Sequence, residues 1–222
     1  MKKINLELLS VFIAVVSIML TVLMMSVARS SSETAQTEEK GFTSEEAGII
    51  NAPDSLLRVL TILCKADSLT LRQKSAPIAE SELNGDTFRT LAAKMIATVT
   101  DSTQNGVGIA APQVGILRRV IAVCRTDKEG EPFEIYANVK IDSLYGEKSH
   151  APEGCLSIPG LKGNVDRYSS VIVSYTDPAT LRTVRDTVHG FPAIIFQHEC
   201  DHLEGILYID KADSVAAVCK AE

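Results

Sequence analysis

Apolar and polar positions divide this chain into segments of different period. Leu56, Leu57, Leu60 and Leu63 fall on one helical face, which predicts a helical lead-in over 42–68, and extended chain follows from Leu71 to Ile78. Phe88, Leu91, Met95 and Val99 repeat at helical spacing, so Phe88 to Thr100 is expected to be an amphipathic helix turned toward a core. A Gly/Ala loop comes next, from Gly106 to Gln113. Arg119–Arg125 and Phe133–Ile141 read as strands around a turn at Asp127–Pro132, and Val171–Tyr175 and Thr183–His189 as a second pair around Asp177-Pro178. The apolar run Phe191–Phe196 then opens a helix: Gly190 breaks the preceding segment, Pro192 suits a first turn and Gly205 offers a stop. Ala212–Glu222 is a short tail. Antiparallel strand pairs with segregated helices predict an α+β fold rather than alternating βαβ units.

The N-terminus follows a different pattern. Lys2 and Lys3 precede an uncharged apolar stretch from Leu8 to Met25, and Ser26-Val27-Ala28 follows. Residues 1–28 are therefore expected to be a secretory signal or, since the run is just long enough to span a bilayer, a membrane anchor. Residues 29–50 read as a polar linker and 51–222 as one globular domain. Positive charge at the very N-terminus would carry that domain across the cytoplasmic membrane, the alternative being a cytoplasmic protein.

Composition narrows the picture. The net charge of −6 and the absence of a long basic run argue against a nucleic-acid partner. Five cysteines, an odd number without regular spacing, do not form a disulfide framework. Cys64 and Cys124 lie in apolar segments and are expected to be buried. Cys200 is expected to point away from its histidine neighbours, and His150 and His189, without a partner at ligand spacing, to be surface or hydrogen-bonded histidines.

The chemistry concentrates in Gln197-His198-Glu199-Cys200-Asp201-His202. His198 and His202 are four apart, so on a helix they share a face and can grip one metal ion. Glu199 can then sit beside the metal's water as a general base without ligating. A catalytic site of this kind needs a third protein ligand. The metzincin pattern would place a histidine at 208, where this chain has Tyr208, and the only glutamates after His202 are Glu204 and Glu222. The third ligand is therefore sought upstream, where Cys155 stands in Glu153-Gly154-Cys155-Leu156-Ser157, a thiolate between glycine-bounded turns.

Three stretches, Gly106-Val107-Gly108-Ile109-Ala110-Ala111-Pro112-Gln113, Glu153-Gly154-Cys155-Leu156-Ser157 and Gln197–Gly205, closely resemble, in order, the signature motifs of the peptide deformylases, a likeness that covers roughly Leu71 to Asp210. The resemblance implies an α+β fold whose antiparallel strands surround the metal-bearing C-terminal helix, and removal of the formyl group from N-formylmethionyl peptides. It implies that Cys155, His198 and His202 hold one ion, natively Fe(2+), with Zn(2+) or Ni(2+) as substitutes. It also implies that Glu199 moves the proton of the attacking water, while the Gln113 amide and the Leu156 N–H meet the charge growing on the carbonyl oxygen. Gly106 and Gly108 would let an extended peptide approach beside Glu153 and Gly154, and Val107, Phe191, Ile194 and Ile195 would line the methionine pocket. Glu153 and Arg167 are candidates for a supporting ion pair. One departure stands out: where the family often has an arginine that holds substrate backbone, this chain has Lys162, which keeps the charge and loses the fork. A zinc peptidase on the same helix, or a non-catalytic envelope protein that binds metal or formyl-peptides, are the rival readings.

Overall fold

The computed structural model describes residues 41–218, and the signal or anchor expected at 1–28 lies outside them. The centre of the fold is strand β2 (Val120–Cys124), in which every residue is buried. Val120 and Ala122 pack toward helix α4 (Asp86–Thr100), while Ile121 and Val123 pack toward helix α5 (Phe191–Leu203). Period-two alternation between two apolar cores, rather than between core and water, is what an unbroken apolar run means in a strand covered on both faces.

The sheet runs in the order β1 (Gly108–Ala110), β2, β3 (Phe133–Cys155), β4 (Ile158–Thr176), β5 (Thr183–His189), and β6 (Val215–Ala217) adds to β4. All of these pairings are antiparallel. The α+β architecture is as expected, but β3 and β4 are far longer than the 133–141 and 171–175 segments that alternation marks. They form one long hairpin that brings Cys155 to its tip, where Cys155 pairs with Ile158. The ladder shifts register between Ala137 and Lys140, Ile141 and Ser143, Tyr145 and Lys148, and Glu153 and Cys155, and each bulge interrupts the alternation.

Three other expectations are corrected. The linker expected over 29–50 ends earlier: α1 (Ser44–Ile50) is a helix of the domain, with Ile50 fully buried. Its Thr43 and Glu46 form a capping box, satisfying two of the backbone donors a helix start leaves open. The helix expected across 42–68 is instead α1, an extended stretch, and α2 (Lys65–Leu71). In that stretch Leu57 and Leu60 are buried while Leu56 and Leu63 are exposed. Its backbone bonds go across the fold, from Leu57 N–H to Thr98 Oγ1 and from Leu60 N–H to the Gln113 carbonyl, so tertiary partners outcompete helical ones. Finally, Cys64 is exposed, whereas Cys124 and Cys200 are buried.

A four-residue helix, α3 (Glu80–Leu83), leads into α4. Helix α5 carries the Gln197–His202 motif. Ala193, Phe196, Cys200 and Leu203 bury its sheet-facing stripe, which turns His198 and His202 the other way. Burial of each large apolar side chain here contributes roughly 1.5–3 kcal/mol, so the sheet contact fixes the rotation of the helix. Gly205, at φ +71, ends it, where any Cβ would run into the Arg72 carbonyl.

Candidate active site

The hairpin tip and α5 meet at three side chains. Cys155, His198 and His202 place one ligand atom each, all within 4.8 Å of one another, and Cys155 Sγ lies 3.2 Å from His202 Nε2. A thiolate and two imidazoles at this separation suit a divalent ion of borderline softness, with room left for water. His198 and His202 are the pair that spacing singles out, and the hairpin brings Cys155 to them from 43 positions before His198 in the chain.

The ligands are themselves held. Glu153 Oε2 is 2.8 Å from His198 Nδ1, so Nε2 is the ring atom that would hold an ion. Arg167 grips the same carboxylate with two bonds, Nε to Oε1 at 2.7 Å and Nη2 to Oε2 at 3.0 Å, so the expected ion pair forms. Arg167 Nη1 also reaches Asp201 Oδ2 at 2.6 Å, and Asp201 Oδ1 takes Lys211 at 2.6 Å. Burial works against the Glu153 carboxylate, yet His198 and Arg167 outweigh it and hold the group down at about 2. Burial likewise opposes a charge on His198, but the Cys155 sulfur and Glu153 raise it well above its ordinary value. His202 moves the other way, pushed well below by burial and then by His198.

Glu199 follows His198 into the site. Burial pushes its carboxyl up to about 7, and its Oε2 is buried without a hydrogen-bond partner. An orphan oxygen of this kind is costly unless a bound group meets it, which fits a site built to take one. Gly108 sits against it: a Cβ there would lie 2.5 Å from Glu199 Oε1 and 2.6 Å from Ile195 Cγ2, so only glycine lets β1 come this close.

Gln113 stands in a 3₁₀ turn (Ala111–Val114) rather than in a loop, since the Gly106–Gln113 stretch also contains β1. Its Oε1 accepts from Ala110 N–H at 2.8 Å, and its amide donates to Ser157 Oγ at 3.2 Å and faces Cys155 Sγ at 3.4 Å. The amide NH₂ is thereby aimed at the ligand cluster. Leu156 follows Cys155 at the hairpin turn.

A cleft of about 680 Å³ opens over these groups. Gly106, Val107, Gly108, Gln113, Glu153, Gly154, Cys155, Leu156, Phe191, Ile194, Ile195, His198 and Glu199 all line it, and only His202, beneath, does not. Val107 and Phe191 are about half exposed at its mouth. Lys162 lines the same wall, its stem close to Gly154.

This geometry can be set beside known proteins. The polypeptide deformylase family profile matches residues 59–217. The chain belongs to the peptide deformylase family. It is 34% identical over 159 residues to the peptide deformylase of Leptospira biflexa, covering 68% of this chain and 87% of that one. It is 42% identical over 125 residues to that of Desulforudis audaxviator, covering 56% and 77%. Among solved structures it is similar to the Met-Ala-Ser-bound class I type b peptide deformylase of Acinetobacter baumannii, with TM-score 0.61, 36% identity, and 70% of this chain and 98% of that chain covered. The actinonin-bound form of the same deformylase gives TM-score 0.62 at 37% identity, with 71% and 99% covered. Deformylase activity is hydrolytic and metal-dependent, removing the formyl group from N-formylmethionyl peptides during protein biosynthesis, and it is this enzyme's activity.

Spacing pointed to His198, His202 and Glu199, and the glycine-bounded motif to Cys155, but neither pointed to Ser157, which is fully buried and takes the Gln113 amide, nor to Asp201 and Lys211, which extend the Arg167 network. Asp201 lies inside the motif and was legible as a residue. Its role was not, because its partner comes from β4.

Proposed function

We propose that this deformylase works with Fe(2+) held by Cys155, His198 and His202, with Zn(2+) or Ni(2+) able to substitute, and that Glu199 is its proton carrier. The observation that supports it best is the conjunction of three ligand atoms within 4.8 Å with a Glu199 that lines the same cleft and whose Oε2 is buried and unpartnered. A divalent ion bound there supplies Lewis acidity and a water acidic enough to react near neutral pH. Glu199 Oε2 takes the proton released as the formyl carbon is attacked and returns it to the departing amine. The Gln113 amide, fixed by Ala110 and Ser157, and the backbone N–H of Leu156 donate to the carbonyl oxygen as it gains charge. Val107, Phe191, Ile194 and Ile195 give the methionine side chain an apolar slot, and the β1 edge pairs with the extended peptide. The Met-Ala-Ser-bound structure of the A. baumannii relative supports a peptide of this kind in the cleft.

The test is formate release from a formyl-Met-Ala-Ser peptide by protein loaded anaerobically with iron, or separately with zinc or nickel. Iron-loaded protein should be the most active, and equal rates with every ion would refute the iron assignment.

We also propose that the apolar run 8–25 exports or anchors the enzyme, so that it meets formyl-peptides outside the cytoplasmic membrane. No helix among the described residues is long and apolar enough to cross a membrane. What supports this reading is the sequence of the run itself, with Lys2 and Lys3 ahead of the uncharged stretch from Leu8 to Met25. Protease added to intact spheroplasts should degrade the domain, and full protection would overturn this placement.

A further inference from the structure

After a 3₁₀ turn at Tyr208–Asp210, the chain runs back along the outer edge of β4. There β6 pairs with it, Lys162 opposite Ala216 and Gly163 opposite Val215, and Val218 N–H donates to the Gly160 carbonyl at 2.8 Å. The approach is built into the sequence. A Cβ on Gly163 would fall 2.6 Å from the Ser214 carbonyl oxygen and 2.9 Å from Ala212 Cβ, so no other residue lets the tail lie this close. Asp213, which leads into β6, is tied down twice. Its N–H donates to the Asn164 carbonyl, and its carboxylate lies 3.4 Å from His150 Nε2, whose Nδ1 is 2.7 Å from Asp166.

This places Val218, 44% exposed, on the wall of the cleft that holds His198 and Glu199, beside Leu161 and Lys162. Val218 N–H meets the carbonyl of Gly160, two residues beyond Ile158, whose partner across the hairpin is Cys155, so Val218 stands on the cleft wall beyond the ligands rather than among them. Across the cleft, β1 pairs among the described residues with β2 alone; on its other edge Ala110 N–H goes to Gln113 Oε1, and Gly108 beside it is left for an extended peptide.

We propose that the C-terminal strand is part of the substrate site: Val218, with Leu161, forms an apolar subsite for the third residue of the formylated peptide. The tail thereby sets preference beyond the methionine while touching neither the metal ligands nor Glu199. This rests on the deformylase assignment of the cleft, and it predicts a division by substrate length. A formylated dipeptide is too short to reach Val218, whereas a tripeptide with an apolar third residue reaches it.

The experiment compares full-length enzyme, Val218→Glu, and a chain ending at Asp213, on formyl-Met-Ala and on formyl-Met-Ala-Leu. KM for the tripeptide should rise roughly 10-fold in both altered proteins, the scale of one lost apolar contact, with kcat unchanged. Both constants for the dipeptide should stay put, and Val218→Leu should restore the tripeptide KM. Unchanged tripeptide KM would overturn the proposal. So would an equal loss on both peptides, which marks a purely structural tail. Absence of formate from formyl-Met-Ala with the unaltered enzyme would instead refute the deformylase reading itself.

Discussion

Glu153 Oε2 lies 2.8 Å from His198 Nδ1, and the same carboxylate is clamped from its other side by Arg167. One residue of the hairpin therefore orients a ligand of the helix, and its neighbour two positions on, Cys155, supplies the third ligand. Replacing Glu153 with Gln should weaken metal retention by roughly 10–100-fold, the usual scale for losing a ligand's hydrogen-bonded support. Competition with a chelator measures this directly. Retention equal to that of the unaltered protein would mean that the helix alone fixes the ring.

Arg167 is a buried cation between two carboxylates, Glu153 and Asp201. Asp201→Asn should lower metal affinity less than Glu153→Gln does, because Glu153 still neutralises Arg167. Arg167→Ala should be worse for stability than either, on the order of 3–5 kcal/mol, since it leaves two largely buried carboxylates with only His198 and Lys211 beside them. Urea unfolding of the three variants ranks them.

Gly108→Ala tests the close packing of β1 on Glu199. The added methyl must displace Glu199 or Ile195. A shift of about 1 Å in a reacting group can cost roughly 100-fold, so kcat should fall on that scale with little change in metal content. Retained kcat would show that the carboxylate has room to move.

The pH dependence follows from two groups. Glu199 must be ionised to accept a proton, and burial above all pushes its carboxyl up to about 7. A cation beside it pulls that value back down. The acid limb of kcat/KM should therefore fall with an apparent pKa between the ordinary 4.5 and about 7, and disappear from the residual rate of Glu199→Gln. His150 is raised, first by its bond to Asp166 and then by Asp213. A raised folded-state value means that its contribution is present in full below the ordinary 6.5 and is lost as pH rises through the folded-state value. Amide exchange at Val215–Ala217, corrected for intrinsic rates, should accelerate across that window, and in His150→Gln it should not.

What could be read in the sequence was whatever is local. His198, Glu199 and His202 lie within one turn and a half of a helix whose apolar stripe is itself periodic, so their shared face needs no tertiary knowledge. β5 and the body of α4 were legible for the same reason. The hairpin arms were not: between Asp142 and His150 most residues of β3 are exposed and polar, and bulges break the alternation that would mark a strand. Leu56, Leu57, Leu60 and Leu63 fit a helical face, but their backbone donors find Thr98 and Gln113 instead, partners that no window of the sequence contains. The Asp201–Arg167–Glu153 chain is hidden for the same reason, since it joins α5, β4 and β3.

The measurement that bears most directly on the metal centre and its base is formate release by Glu199→Gln, made alongside a determination of bound iron. The structure predicts an ion retained at full occupancy by Cys155, His198 and His202, with turnover of formyl-Met-Ala-Ser lower by roughly 10²–10⁴-fold. A variant that holds its ion and deformylates at the normal rate would contradict the assignment of Glu199 as the proton carrier.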